Sequence, residues 1–177
     1  KARNRMKFEE LFFLQLMLLR AKVKREETVK GFVFGEVGHV FNTFYTKHLP
    51  FSLTEAQKRV MREIRKDMGS GHQMNRLLQG DVGSGKTIVA LMCMLLAADN
   101  GFQSVLMAPT EVLAMQHYKS ISELVEGLDI KIAFLSGSIT GNPRAEILES
   151  LKAGRTHILI GTHALFQSDV VFKDLAF

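Results

Sequence analysis

The string GDVGSGKT at residues 80–87 has the spacing G-x-x-x-x-G-K-[ST], which is typical of a phosphate-binding P-loop. Glycines let backbone N–H groups point inward around phosphate oxygens, where a larger side chain would block the approach. Lys86 could reach the β- and γ-phosphates of a nucleotide, and the Thr87 hydroxyl could bind Mg²⁺. The pattern predicts a nucleotide site formed by Gly80, Asp81, Val82, Gly83, Ser84, Gly85, Lys86 and Thr87.

Gln57 has two competing interpretations. The string Thr54-Glu55-Ala56-Gln57 matches a capping box, in which the Gln57 side chain reaches back to the Thr54 amide at a helix N-terminus. Alternatively, the Gln57 amide could recognise adenine through N6 and N7, with Phe51 stacking on the ring. The residues alone favour the capping box but leave both interpretations open.

Several small or polar residues follow predicted strands, at the edge of an open α/β sheet where ligands bind. Ordinary cap and turn chemistry would explain some of them fully, and a loop histidine is more often structural than a ligand. A binding function is therefore open for five residues: Thr110, Ser136, Gly137, Thr162 and His163.

The elements that must position these residues alternate between strand and helix from residue 52 onward. Helices are predicted over 53–68, 86–99, 110–127 and 142–154, and strands over 75–81, 104–109 and 130–137; residues 156–166 predict a strand that runs into a turn. Thr110 and Asn142 are the expected N-caps, and Gly154 is the expected stop of the last helix. The alternation predicts an α/β fold with a parallel sheet.

The first 50 residues have a different character. Residues 8–27 predict one long helix, and its first half is apolar on nearly all sides, so we expect it to pack on several faces. Residues 31–51 predict a linker with a short helix. Residues 1–30 carry nine Lys/Arg and four Asp/Glu, which accounts for the whole net charge of +5. This basic segment indicates either an acidic partner such as nucleic acid or a solvated helix face.

The composition excludes several classes of protein. The 177 residues with 46% apolar side chains suit one folded domain. Cys93 is the only cysteine, so an internal disulfide and a cysteine-rich metal site are excluded, and its apolar surroundings predict a buried thiol. The longest apolar run, 11–19, is too short to span a bilayer. We therefore expect a cytoplasmic protein without a membrane partner.

Four strings together resemble one family: MNRLLQGDVGSGKT at 74–87, MAPTEVLAMQH at 107–117, LSGS at 135–138 and ILIGTHALFQSDVVFKDL at 158–175. They resemble the motor domain of superfamily-two DNA helicases, most closely the bacterial RecG type, which remodels branched DNA with ATP. The string at 49–60 resembles the nucleotide-recognition motif of that type, and the string at 8–19 resembles the helix that joins its wedge domain to its motor. The transcription-repair coupling translocases share the GTH and QSDV strings and are an alternative.

The resemblance implies a RecA-like P-loop fold, preceded by a long N-terminal helix, and a role for each matching residue. Residues 80–87 would bind ATP and Mg²⁺, with Lys86 and Thr87 acting in hydrolysis and Thr87 binding the metal. Gln57, with Phe51, would recognise adenine, which reverses the order of the two interpretations above. The DNA backbone would be contacted by Pro109, Thr110, Ser136, Gly137, Gly161, Thr162 and His163. The LSGS string at 135–138 has serine in its second position, where threonine is commoner in the family, and this difference is conservative.

The resemblance also implies parts that these residues do not contain. The acidic Walker B string Asp-Glu-x-His does not occur in the sequence, and neither a wedge domain nor a second motor domain is included. We therefore expect residues 1–50 to be a helical linker from the wedge domain, and 51–177 to be the N-terminal part of motor domain 1, ending before Walker B. An incomplete sheet with an exposed edge would follow. For these residues alone, ATP binding without hydrolysis is expected.

Two other classes of function would use part of these residues. A nucleotide-gated switch or transporter ATPase would use the P-loop but leaves the APTE and GTH strings unexplained. A non-catalytic DNA-binding module would fit the basic N-terminal segment and the missing Walker B string. The helicase class, acting on forks and Holliday junctions, accounts for most of the strings.

Overall fold

The structure is a computed structural model that describes the backbone of residues 2–177, and the side chains of these residues except 2, 4, 22 and 25–28. The elements in chain order are α1 (Ala2–Thr28), α2 (His39–Thr43), a π-helical turn (Phe44–His48), α3 (Glu55–Met68), α4 (Lys86–Asp99), β1 (Ser104–Met107), α5 (Glu111–Leu124), β2 (Ile132–Leu135), α6 (Gly141–Lys152), β3 (Ile158–Gly161) and a 3₁₀ turn (His163–Phe166).

The three strands form a parallel sheet in the order β1–β3–β2. In the centre, Ile158 of β3 lies opposite Ser104 of β1 and Ile132 of β2. Helix α5 joins β1 to β2, and α6 joins β2 to β3. All four residues of β3 are buried, as expected for a parallel strand with a neighbour on each side. The predicted α/β class with a parallel sheet is confirmed.

Helix α4 lies at the centre of the larger hydrophobic core. Every residue from Leu91 to Ala97 is buried, because the helix packs against α2, α3 and β1. An all-apolar helix is stable only when it is covered on all sides. The predicted buried helix is therefore confirmed, and Cys93 within it is only 1% exposed, as predicted.

The predicted N-cap agrees with the structure at α5 but not at α6, and α5 ends at Leu124 instead of continuing to Gly127 as predicted. Thr110 is the N-cap of α5, and its hydroxyl accepts the Leu113 N–H over 3.3 Å. Helix α6 begins at Gly141 with Thr140 as N-cap, so the prediction of Asn142 as the cap is wrong. Pro143 is tolerated two residues later because the first turn of a helix has no intrahelical acceptors for its N–H groups. Gly154, with φ +74°, follows the end of α6 as predicted.

The predicted strand at 75–81 is wrong as well. These residues pair with no strand of the described sheet, and Leu77 is 90% exposed. A strand exists only when a neighbour accepts and donates its backbone hydrogen bonds, which an apolar pattern cannot reveal.

The expected open edge of the sheet lies beside β1. The Gln103 N–H donates to Asp174 O and the Val105 N–H donates to Phe177 O, each over 2.8 Å, so residues 174–177 run along part of this edge. A groove of about 440 Å³ separates the edge from the residues between Met68 and Met74. The sheet is therefore not continuous with the segment that leads into the P-loop.

Buried Gln103 ties three parts of this region together. Its side-chain amide donates to the carbonyls of Leu151 and Thr156 over 2.9 and 2.8 Å. Its side-chain oxygen accepts the N–H groups of Lys173 and Asp174 over 2.8 and 3.1 Å. The end of α6, the start of β3 and the segment after residue 172 are thus held by one side chain.

Helix α1 extends away from this core. Large apolar side chains along it, including Leu11 (63%), Phe13 (58%) and Met17 (69%), are more than half exposed. The expectation that this helix packs on several faces is therefore wrong for the described residues of the chain. None of the described helices combines the length and apolar character that a membrane span requires.

Candidate nucleotide-binding site

The P-loop lies immediately before α4. Gly83 and Gly85 have φ angles of +78° and +77°, in the left-handed region that favours glycine. The Ser84 N–H donates to Asp81 O over 3.2 Å and closes the turn. Gly85 is also the N-cap of α4, so the free N–H groups of the first helical turn face the loop. This arrangement is suited to an anion.

Lys86 folds back into the loop that precedes it. Its ammonium donates to the carbonyls of Gly80 and Asp81 over 2.9 and 2.7 Å and reaches the Ser84 hydroxyl over 3.4 Å. Main-chain carbonyls carry only partial charge, so anionic oxygens would be stronger acceptors for the same ammonium. The loop therefore brings a cation and helical N–H groups to one place. Thr87 is half-buried in the first turn of α4.

Gln57 forms the predicted capping box and also contacts the P-loop. Its side-chain oxygen accepts the Thr54 N–H over 2.8 Å, and its own N–H donates to the Thr54 hydroxyl over 3.2 Å. Its side-chain amide donates to Ser84 O over 3.0 Å. Gln57 therefore joins the start of α3 to the loop.

Gly85 allows this contact because it has no Cβ. A Cβ at this position would overlap the Gln57 amide nitrogen, and it would lie 3.9 Å from the Phe51 ring. Phe51 itself is 46% exposed. The structure thus places Phe51 and Gln57 beside the P-loop.

A second group of predicted residues lies after β1 and β2. Thr110 caps α5, and Glu111 in the next position accepts hydrogen bonds from the Ser136 and Ser138 hydroxyls over 3.1 and 2.6 Å. Ser136 is buried whereas Gly137 is exposed. Glu111 and Ser138 were not among the predicted site residues, because no local spacing relates a carboxylate to hydroxyls more than 20 residues away.

The residues after β3 differ in how far they can reach a ligand. Gly161 is buried against β2, where a Cβ would overlap the Leu135 carbonyl, and its own carbonyl accepts the Ala108 N–H over 2.9 Å. Thr162 is half-buried, and His163 is exposed. Pro109, after β1, is exposed too. Three strand ends therefore present Pro109, Gly137 and His163 toward solvent.

Arg144 fixes the loop that follows. Its guanidinium lies 2.8 Å from an Asp169 oxygen and 2.6 Å from the Gln167 side-chain oxygen, and its side chain is only 16% exposed. The ion pair between Arg144 and Asp169 joins α6 to the QSDV string at 167–170. Sequence patterns alone did not relate these two parts of the chain.

The positive charge at this site comes from the Lys86 ammonium and from the backbone N–H dipoles at the start of α4. Within the part of the chain that the structure describes, no three His, Cys, Asp or Glu side chains are grouped so that they could hold a metal ion. Any divalent cation here would depend on the nucleotide phosphates and the Thr87 hydroxyl. Along α4, burial raises the pKa of Cys93 to about 12, so this thiol stays protonated near neutral pH.

Comparison with known proteins identifies the relatives of this chain. The family model described as DEAD/DEAH box helicase matches residues 54–177. The chain is 46% identical over 175 residues to the ATP-dependent DNA helicase RecG of Bacillus subtilis, covering 99% of the chain and 26% of that protein. It is 45% identical to RecG of Thermotoga maritima, covering 99% of the chain and 22% of the relative.

A solved structure shows the same fold. RecG bound to a three-way DNA junction matches with a TM-score of 0.88 and 45% identity, over 98% of this chain and 24% of that one. The predicted resemblance to RecG and the RecA-like fold are confirmed. The chain spans about a quarter of the length of these relatives.

Proposed function

This chain belongs to the DEAD/DEAH box helicase family, and we propose that it supplies the ATP-binding part of a DNA motor. The main support is the position of Lys86, whose ammonium lies inside the P-loop on the carbonyls of Gly80 and Asp81. The β- and γ-phosphates of ATP would take the place of these carbonyls. The N–H groups at the start of α4 would donate to the same phosphates.

Adenine recognition would use Gln57 and Phe51. A side-chain amide oxygen can accept two hydrogen bonds, and its NH₂ group can donate two. Gln57 uses one of each, to the Thr54 N–H and to Ser84 O. One acceptor position and one N–H remain for adenine, so the capping box and base recognition are compatible. The exposed Phe51 ring would stack on the base.

Mg²⁺ fits the residues present. The Thr87 hydroxyl in the first turn of α4 is the protein ligand that a P-loop provides, and the glycines leave room for phosphate oxygens beside it. When bound, the ion would neutralise charge that develops on the phosphates. Lys86 would hold the phosphates, and Gln57 would hold the base.

DNA would bind along the three strand ends. Pro109, Thr110, Gly137, Thr162 and His163 offer small side chains, hydroxyls and exposed backbone, which suit contacts to phosphates and sugars without sequence specificity. Ser136 and Gly161 are buried and would act by placing their exposed neighbours.

The relatives suggest the substrate. RecG of Bacillus subtilis is named an ATP-dependent DNA helicase, and the solved RecG structure holds a three-way junction. We extend this to the full-length protein: ATP-driven remodelling of branched DNA, such as replication forks and Holliday junctions, in the bacterial cytoplasm. Residues 1–50 would link a wedge domain to the motor, and residues 51–177 would form the first part of motor domain 1.

DNA-stimulated ATP hydrolysis by the full-length protein tests this function. We expect a three-way junction to stimulate hydrolysis, and Lys86→Ala to abolish it by removing the phosphate-binding cation. Lys152→Ala, an exposed lysine in the last turn of α6, is the matched control and should leave hydrolysis unchanged. Equal rates for wild type and Lys86→Ala would refute the proposed function.

A further inference from the structure

Helices α3 and α4 are joined at both ends. At their N-termini, Gln57 of α3 donates to Ser84 O of the P-loop. At their C-termini, both helices contact one stretch of chain that precedes them, residues 30–41, which we call the docking segment. The helices have 14 residues each, so each spans about 21 Å between these two ends.

The end of α3 holds the first part of the docking segment by backbone bonds. The Gly31 N–H donates to Gly71 O over 2.8 Å, and the Phe34 N–H donates to Met68 O over 3.1 Å. A Cβ on Gly31 would lie 2.6 Å from the His72 carbonyl carbon, so only glycine permits this approach. The Phe34 side chain is buried.

The end of α4 holds the second part through the side chain of Asp99. Its two carboxylate oxygens accept the N–H groups of Val40 and Phe41 over 3.0 and 2.9 Å. Both N–H groups belong to the first turn of α2 and have no acceptor within the helix, so the carboxylate satisfies them. A Cβ on Gly38 would lie 2.5 Å from an Asp99 oxygen, so a larger residue here would displace the Asp99 carboxylate from these N–H groups.

Asn100 completes the contact. Its side-chain oxygen accepts the Glu36 N–H over 3.1 Å, and its amide donates to Glu36 O over 2.9 Å. The same amide donates to Leu96 O over 2.8 Å, within the last turn of α4. The side chain therefore joins both backbone groups of one docking-segment residue to the helix that begins at the P-loop.

We propose that Asp99 and Asn100 are positioning residues that couple the docking segment to the nucleotide site. This rests on the proposed ATP binding at residues 80–87. ATP that contacts both Gln57 and the P-loop would add a second bridge between the starts of α3 and α4 to the Gln57–Ser84 bond already present, and so restrict movement of one helix relative to the other. The docking segment contacts both helices at their other ends, so its contacts tighten when the two helices are fixed.

Hydrogen exchange of wild-type full-length protein with and without saturating ATP tests this coupling. Binding coupled between two sites is reciprocal, and typical coupling changes affinities by about 5- to 150-fold. We expect exchange of the Val40 and Phe41 amides to slow by about 5-fold or more. The Arg155 amide, which donates to Ser150 O over 2.9 Å in the turn after α6, is the control for general stabilisation and should not change.

Asn100→Ala gives the second measurement. We expect this variant to lose the ATP-dependent protection of the Val40 and Phe41 amides and to bind ATP more weakly by the same factor. Asn142→Ala removes an exposed asparagine that caps no helix and should behave as wild type. Unchanged ATP affinity in Asn100→Ala, or equal exchange with and without ATP in wild type, would refute the coupling. If the variant does not fold, the wild-type measurement decides, and absence of ATP binding by wild type would refute the proposed function itself.

Discussion

Gln57 and Ser84 join a helix cap to the P-loop, because the Gln57 side-chain amide donates to Ser84 O over 3.0 Å. The same side chain accepts the Thr54 N–H over 2.8 Å. The two interpretations of Gln57 are therefore not exclusive. A capping residue that is already fixed by the helix start loses little rotamer freedom when it binds a base, and this lowers the entropic cost of recognition.

Gln57→Glu and Gln57→Ala separate the two roles of this residue. A glutamate can still accept the Thr54 N–H, but an ionised carboxylate cannot donate to Ser84 O. We expect Gln57→Glu to keep the cap of α3, to lose the bond to Ser84 O and to weaken ATP binding. Gln57→Ala should weaken binding and also lower the free energy of unfolding by about 1 kcal/mol, the typical effect of a lost cap. Urea unfolding and nucleotide titration measure the two effects, and unchanged ATP affinity in Gln57→Glu would contradict the base-recognition role.

Gly85→Ala and Gly101→Ala form a matched pair. Both glycines have positive φ, +77° and +76°, and alanine in that region costs about 1–2 kcal/mol. A Cβ at Gly101 would meet nothing within 4 Å, whereas one at Gly85 would displace the Gln57 amide. We expect similar losses of stability but weaker ATP binding only for Gly85→Ala, measured by denaturant unfolding and nucleotide titration. Equal ATP affinity in the two variants would show that the Gln57 contact does not matter.

Local sequence signals predicted the parts of this chain that local chemistry determines. The P-loop follows from glycine spacing, and the caps at Thr54 and Thr110 follow from hydroxyls placed before apolar periodic runs. The class of the fold follows from the alternation of strands and helices. In each case the interacting groups lie within a few residues of one another.

The features that could not be predicted depend on distant partners. Residues 75–81 have a strand pattern but no paired neighbour, and the packing of α1 depends on groups that its own sequence does not identify. In the sequence Gln103 is not distinguished from other polar residues that precede a strand. Its side chain nevertheless forms hydrogen bonds with residues about 50 and 70 positions away. The hydrogen bond from the Ser136 hydroxyl to the Glu111 carboxylate is a further example. Such contacts exist only after the sheet has formed.

Gln103→Leu should destabilise the chain strongly. The substitution leaves the buried Leu151 and Thr156 carbonyls without their donor, and each unsatisfied buried group costs about 1–3 kcal/mol. We expect the free energy of unfolding to fall by about 3 kcal/mol or more in urea titrations. The neighbouring Ser104 is the control: its hydroxyl is buried without a hydrogen-bond partner among the described residues, so Ser104→Ala should be neutral or slightly stabilising. A loss below about 1 kcal/mol for Gln103→Leu would contradict the assigned contacts.

The buried thiol of Cys93 should make the folded chain less stable at high pH. Burial raises the pKa of its thiol from 9.0 to about 12 in the folded chain. Below pH 9 the thiol is protonated in both states and its ionisation contributes nothing to the pH dependence. Between pH 9 and about 12 the unfolded chain releases a proton that the folded chain retains, so ionisation favours unfolding and stability falls as pH rises.

Comparison with Cys93→Ala isolates this effect, because other groups that titrate in the same range are common to both proteins. The difference in unfolding free energy between wild type and variant should be constant below pH 9. Above pH 9 the wild type should lose stability relative to the variant. Thiol reagents supply an independent measurement, since a buried protonated thiol reacts only when the chain opens. Rapid modification of Cys93 under native conditions, or a difference that does not change with pH, would contradict the burial of this residue.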